Sequence, residues 1–437
     1  MYDYQEEYNA KKMTPAQAVS LVRSGDRVFI GLVSSIAYCL ADALWERRNE
    51  LEDIEISCSQ SLKPTPLFMT PGDSPFTVVT PFIGPGERMA QKNGRPLVFS
   101  SIHLSQVDIW AKEIANPTVA FFQVSEPDEN GYMSMGPGGS SINAFVLEKA
   151  DRIIVQVNKN TPYLTGEKCL IHISEVDAIV EQDEELPSLP EDRIDPVTQE
   201  ISNNILKLVP DGATIQLGIG KLSTAIGYGL KNHNDLGIHS ELFCTPMMDL
   251  IKNGNVTNRC KGYMDGLSVY AFAMGSKEMY EFMDHKKDLY AGLFTSVNDP
   301  RNIARCNRMI SINSAMAIDI FGQVAADSMG WYQQSAVGGQ IDFVKGAQWS
   351  NEGKSIIATS SSFMKNGIRQ SKIVLNFPTG TAVTTPRSEV QYVATEYGCI
   401  NLKPLRMPDR IRAVISLAHP DFRDGLTDEA KRLGLIS

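Results

Sequence analysis

Sulfur and imidazole are sparse in this chain and nowhere grouped. Its seven cysteines (Cys39, Cys58, Cys169, Cys244, Cys260, Cys306 and Cys399) are scattered singly, without a CxxC pair or a close, even spacing. That pattern excludes a disulfide framework and points to reduced thiols. The six histidines are as dispersed, none at HxxxH or another ligand spacing, so no metal site is expected. No basic stretch is interleaved with aromatics and the net charge is −10, which leaves a nucleic-acid surface nothing to build on. No segment reaches the roughly 18 apolar residues of a membrane span. The opening MYDYQEEYNAKKM is acidic and polar where a signal peptide would be basic and then apolar. A cytoplasmic protein with no nucleic-acid or membrane partner is the expectation.

What is present is a globular composition, 437 residues with 43% hydrophobic and 21% charged, too long for one ordinary core. Glu181 to Glu200, EQDEELPSLPEDRIDPVTQE, joins an acidic run to three prolines and reads as a linker. It separates an N-terminal domain over 1–185 from a C-terminal one over 195–437. The second region repeats the first: AVSLVRSGDRVFIGLVSSIAYCLADAL lies over ILKLVPDGATIQLGIGKLSTAIGYGL, matching Val22 to Val209, Gly25 to Gly212 and Gly31 to Gly218. Each copy reads as helix, glycine turn, short strand (Arg27 to Ile30; Thr214 to Leu217), second glycine turn, amphipathic helix, then another strand, DIEIS or LGIHS. This alternation predicts α/β architecture in two similar open domains, with ligands at the carboxyl ends of parallel strands. Glu241 is expected immediately after the later strand of the second copy, where the first copy has Ser59 or a neighbour.

Three segments could carry chemistry. In QLGIGKLSTAI a strand runs through Gly218-Ile219-Gly220 into a helix beginning at Lys221 and Leu222. Glycines let backbone approach a ligand, the helix N-terminus presents N–H groups to anionic oxygens, and Lys221 adds a cation. The alternatives are a plain turn, or a dinucleotide fingerprint with Glu241 as its acidic residue, although Ser223 stands where that fingerprint has its third glycine. In SAVGGQIDF, Gly338 and Gly339 precede an expected strand and could aim N–H groups at an oxyanion; a simple glycine turn is the other reading. In MISINSAMAIDIFG, Asn313 must hydrogen-bond if buried, either to tie a loop or to hold a carboxylate. Cys244, three residues after Glu241, reads as a buried small hydrophobe.

Taken in order, QLGIGKL, GIHSELF, ISINSAMAID, SAVGGQIDFVKGA, ATEYG and AHPDF resemble the acetyl-CoA hydrolase/transferase family of class I coenzyme A transferases, over essentially the whole chain. Within that family the resemblance is to the 4-hydroxybutyrate and butyryl-CoA:acetate CoA-transferases. One departure is Ala336-Val337 ahead of Gly338-Gly339, where relatives often read GVGGQ.

The resemblance implies two open domains of the ribose-5-phosphate-isomerase-like kind, in a homo-oligomer, dimer or tetramer. It implies Glu241 as the residue that becomes a glutamyl-CoA thioester, and Gly218, Ile219, Gly220, Lys221 and Leu222 along the coenzyme. Gly338 and Gly339 then stand at the oxyanion and CoA site, and Asn313 beside the acyl or acceptor carboxylate. Coenzyme A and acyl-CoA enter as substrates, with a short-chain carboxylate as the other partner and no permanently bound cofactor. A glutamate with a reference pKa of about 4.3 is expected to be ionised at neutral pH without a base. Hydrolysis of the acyl-CoA is the alternative outcome. The acyl chain stays open, with Phe82 or Phe121 as candidate pocket walls.

Overall fold

The computed structural model describes residues 4–71, 74–189, 193–218 and 220–437. The chain divides into two compact units: Met1–Pro190 with Phe243–Thr245 and Val269–Val297, and Glu191–Leu242 with Pro246–Ser268 and Asn298–Ser437. The first cut falls in the acidic, proline-rich stretch. The second half of the sequence also contributes two later segments to the first unit.

In the first unit, α1 (Pro15–Val19) opens on a capping box between Thr14 and Gln17 and leads through a left-handed Gly25 into β1 (Arg27–Leu32). Next come α2 (Tyr38–Glu46), β2 (Ile54–Ser59), β3 (Phe76–Thr80), β4 (Leu97–Phe99), β5 (Val119–Val124), β6 (Arg152–Val157) and β7 (Ala178–Glu181). All seven strands run parallel in the order β4-β3-β2-β1-β5-β6-β7. Helices cover both faces of such a sheet, which is why β5, VAFFQV, is buried at every position. Helix α2 turns Tyr38, Leu40, Ala41, Leu44 and Trp45 inward at helical spacing.

The second unit begins in the same way. Helix α3 (Pro196–Leu206), capped by Asp195, precedes a left-handed Gly212, β8 (Thr214–Leu217) and α4 (Lys221–Gly229). Strand β9 (Gly237–Phe243) follows, then β10 (Met309–Ser314), α5 (Gln340–Trp349), β11 (Lys354–Ala358), β12 (Tyr392–Thr395) and β13 (Gly398–Asn401). These strands lie in the order β9-β8-β10-β11-β12-β13, with only β13 antiparallel to its neighbour.

Strand register makes the repeat quantitative. Thr214 pairs with Gly237 as its counterpart Arg27 pairs with Glu55. Four residues further along each second strand stand Glu241 and Ser59, so only the second unit carries a carboxylate at this position. Strand order reverses at β8, whose neighbours are β9 on one side and β10 on the other. Such a switch point opens a crevice at the carboxyl edge of a parallel sheet.

Candidate active site

Glu241 lies inside β9 and not after it, because Leu242 and Phe243 are buried and carry the strand on. The residue as a whole is half-buried, and protein atoms pack densely enough around its carboxylate to strip most of its water. Asn298 Nδ2 donates to Oε2 at 2.7 Å, and the Gly339 backbone N–H also donates to the carboxylate. Burial pushes the pKa up to about 7. The negative charge of Asp342 works the same way, and the two donors pull against it. This corrects the expectation of a freely ionised side chain: near neutrality about half the molecules hold the proton.

Gly339 is where the backbone makes room. A Cβ there would stand 2.0 Å from Glu241 Oε2 and 2.1 Å from Asn298 Nδ2, so a side chain would displace both. Gly338 and Gly339 are buried and lead into the ten-residue helix α5, not into the expected strand. The reason is visible in IDFVKGAQW, where Ile341, Phe343, Val344 and Ala347 are buried at three- and four-residue intervals. The carboxylate therefore meets the N-terminus of a helix, where N–H groups lack intrahelical acceptors and the dipole favours negative charge.

Asn298 carries no signal in the sequence: TSVNDP reads as a turn, and its Asp299 does cap a short helix, Pro300–Ile303. The Asn298 side chain is buried, and its Oδ1 has no hydrogen-bond partner among the described residues. Asn313, by contrast, donates to Ser311 Oγ at 2.9 Å and to Gln216 Oε1 at 3.3 Å, tying β10 to β8. Glu241 is not among the partners of that amide. Cys244 is only partly buried and belongs to the first unit.

Gly218 and Gly220 lie between β8 and α4, and Lys221 and Leu222 open α4; Ile219 lies outside the described residues. Gly220 has φ +98° and ψ 179°, a conformation that only glycine adopts readily, and it caps α4 without a side-chain bond. Lys221 is not a free cation, since its Nζ pairs with Asp195, whose carboxyl is held down at about 2 chiefly by that bond.

Lys221 and Leu222 face a cleft of about 790 Å³ whose other walls include Ser314, Thr359, Lys372 and Glu396. Ser314 ends β10, and Lys221, Thr359 and Glu396 follow β8, β11 and β12, so the cleft runs along the carboxyl edge of the sheet from the switch point. The ATEYG and AHPDF motifs meet in it through Glu396, Tyr397 and His419.

In the first unit a small apolar cavity is walled by Phe29, Leu32, Phe82, Trp110 and Phe272. Phe121 is buried in β5 away from it. Among the described residues, no helix is long and apolar enough to cross a membrane.

A two-unit sheet architecture with one carboxylate poised at a helix N-terminus can be compared with known proteins. The model of the acetyl-CoA hydrolase/transferase N-terminal domain matches residues 1–190, and that of the C-terminal domain matches residues 275–430. The 4-hydroxybutyrate coenzyme A transferase of Clostridium kluyveri is 36% identical over 431 residues, covering 98% of this chain and 99% of that protein. The butyryl-CoA:acetate CoA-transferase of Anaerostipes caccae is 36% identical over 441 residues, covering 98% of each. The crystal structure of RipA from Yersinia pestis superposes with a TM-score of 0.92 at 36% identity, covering 100% of both chains. The chain therefore belongs to the acetyl-CoA hydrolase/transferase family and is an enzyme of the CoA-transferase kind.

Proposed function

We propose that the enzyme moves coenzyme A between a short-chain acyl-CoA, such as butyryl- or 4-hydroxybutyryl-CoA, and a carboxylate such as acetate, by a ping-pong route through a thioester on Glu241. The observation that carries this reading is the Glu241 carboxylate clasped by Asn298 and the Gly339 N–H at the carboxyl edge of a parallel sheet. An acceptor acid is already the same chemical type as this nucleophile. No base is needed once the side chain is ionised.

In the first step a Glu241 oxygen attacks the thioester carbonyl; the C–S bond breaks and CoA leaves as thiolate, giving an acyl-glutamyl anhydride. The thiolate then attacks the Glu241 carbonyl carbon, and the C–O bond to the acyl group breaks. The first acid departs, and Glu241 carries CoA as a thioester. An incoming carboxylate reverses both steps, conserving the thioester energy.

In the second addition the negative charge develops on an oxygen of Glu241 itself. The Asn298 and Gly339 donors already contact that carboxylate, which suits them to stabilise the tetrahedral intermediate, an effect of about 2.7 to 4 kcal/mol per donor. Gly338 stands beside them. Gly218, Gly220, Lys221 and Leu222 fit a place along the coenzyme, and Asn313 fits a place beside the acyl or acceptor carboxylate.

Two similar proteins, the 4-hydroxybutyrate coenzyme A transferase and the butyryl-CoA:acetate CoA-transferase, are named for transfer, which favours this reading over hydrolysis. The reading extends to a cytoplasmic homo-oligomer, which light scattering on the purified enzyme checks. Initial rates with butyryl-CoA and acetate varied together test the mechanism. Parallel double-reciprocal lines are expected, with CoA thiol appearing only in trace when acetate is omitted. Intersecting lines, or full-rate thiol release without acetate, would refute it.

A further inference from the structure

Beyond Lys221 and Leu222 at the start of α4, the cleft in the second unit has an unusual wall. Strands Ser362–Lys365 and Ile368–Ser371 pair antiparallel about Asn366-Gly367, both left-handed, as in a two-residue hairpin turn. Every residue from Phe363 to Gln370 is exposed, including Phe363 at 41%, Met364 at 58% and Ile368 at 67%. A two-stranded hairpin wet on both faces is marginal by itself. Its base, however, is firmly fastened. Ser361 N and Oγ donate to the two oxygens of Glu396 at 2.9 and 2.6 Å, and Lys372 N donates to Ser361 O at 2.8 Å. Phe363, Met364 and Arg369 face the cleft.

At that base Lys372 is half-buried and opens onto the cleft. Among the described residues no carboxylate lies within ion-pairing distance of its Nζ, whose one hydrogen bond is a long 3.4 Å contact to Thr359 Oγ1. Glu396, the nearby acid, has both oxygens engaged by Ser361. Burial disfavours the charge on Lys372, the negative charge of Glu396 works against that, and the positive charge of Lys221 adds a smaller push in the same direction as burial. A partly desolvated ammonium that opens onto a cleft and has no carboxylate in direct contact among the described residues can take up an anion there.

We propose that the hairpin and Lys372 grip the nucleotide end of coenzyme A, Lys372 facing its phosphates and Phe363 with Met364 offering an apolar wall to the adenine. The proposal rests on the CoA-transfer reading. Spacing supports it: the hairpin follows β11, three strands from β9, and three strand spacings are about 14 Å. An extended pantetheine arm, comparable to four extended residues at about 14 Å, spans that gap. The thiol can thus reach Glu241 while the nucleotide stays in the cleft. Aromatic and thioether side chains recognise purine faces without hydrogen bonds, which suits an exposed hairpin tip.

The test compares butyryl-CoA with butyryl-pantetheine, which lacks the nucleotide, in the parent enzyme and in Lys372→Gln, Lys372→Arg and Phe363→Ser. Loss of one charge-assisted contact should lower kcat/KM for butyryl-CoA about ten-fold or more in Lys372→Gln, leave butyryl-pantetheine unchanged, and be largely restored in Lys372→Arg. Phe363→Ser should show the same selectivity for the full coenzyme. Calorimetry with adenosine 3′,5′-bisphosphate should show binding to the parent and a weakening of about ten-fold in Lys372→Gln. Equal losses on both donors, or no loss on either, would overturn the grip while leaving CoA transfer intact. A parent that uses no CoA thioester yet binds the bisphosphate through Lys372 would overturn the transfer reading and leave the anion site standing.

Discussion

Replacing Glu241 by glutamine should abolish transfer and make the folded protein more stable, by an amount that grows with pH. The carboxyl titrates at about 7 in the folded protein, against an ordinary value of 4.5, because burial disfavours its charge. Below about pH 4.5 both folded and unfolded chains hold the proton, and the side chain's contribution to stability is fully present. Between the two values the unfolded chain releases its proton while the folded one retains it, so stability is lost as pH rises through 7. The loss then levels off at about 3.5 kcal/mol, two and a half pH units at about 1.4 kcal/mol each. Glutamine keeps the shape without the titration. Urea unfolding of parent and variant at a series of pH values isolates the effect, because titrating groups that do not interact with Glu241 cancel in the difference. The variant's advantage should widen by about 3 kcal/mol between about pH 4 and about pH 8. A difference that stays flat, or that shrinks as pH rises, would mean that the site holds the anion comfortably, and the account of its desolvation would be wrong.

The same titration should appear in catalysis: the rate of CoA transfer onto the enzyme in a single turnover should climb with pH through about 7 and flatten above it. Asn298→Ala removes a donor that favours the charged form, so the midpoint of that profile should move upward and the plateau fall by about 10²-fold. A Cβ at Gly339 would collide with both Glu241 and Asn298; Gly339→Ala should therefore lose at least about 10²-fold in transfer while circular dichroism stays that of the parent.

Much of this site could be read from the residues. The first cut between the compact units falls in the proline-rich acidic stretch, and the constant offset between the two copies places β1 and β8 at their observed starts, since glycine turns and short β-branched runs are local signals. Strand register then makes Ser59 the counterpart of Glu241. What local patterning could not show is where a strand enters a core. GIHSELF continues as β9 past Glu241, and Val269–Val297 packs in the first unit, although nothing in its composition differs from the segments around it. The segment after Gly339 reads as a strand but folds as a helix, because SAVGGQIDF is short and the helical period emerges only through Ala347. Asn298 is invisible for a different reason. Its role depends on the side chain meeting one 57 residues earlier in the chain, and an asparagine before Asp-Pro has an adequate local explanation as a turn. The raised pKa of Glu241 belongs to the same class, being a property of its surroundings and not of the residue.

The covalent step is the centre of the account. Incubating the parent enzyme with butyryl-CoA, quenching it, and measuring the intact mass followed by peptide mapping tests it directly. The account predicts a CoA adduct confined to the peptide that contains Glu241, discharged by acetate and convertible by borohydride to a stable reduced residue at that position. An adduct on another side chain, or full turnover with none at Glu241, would contradict it.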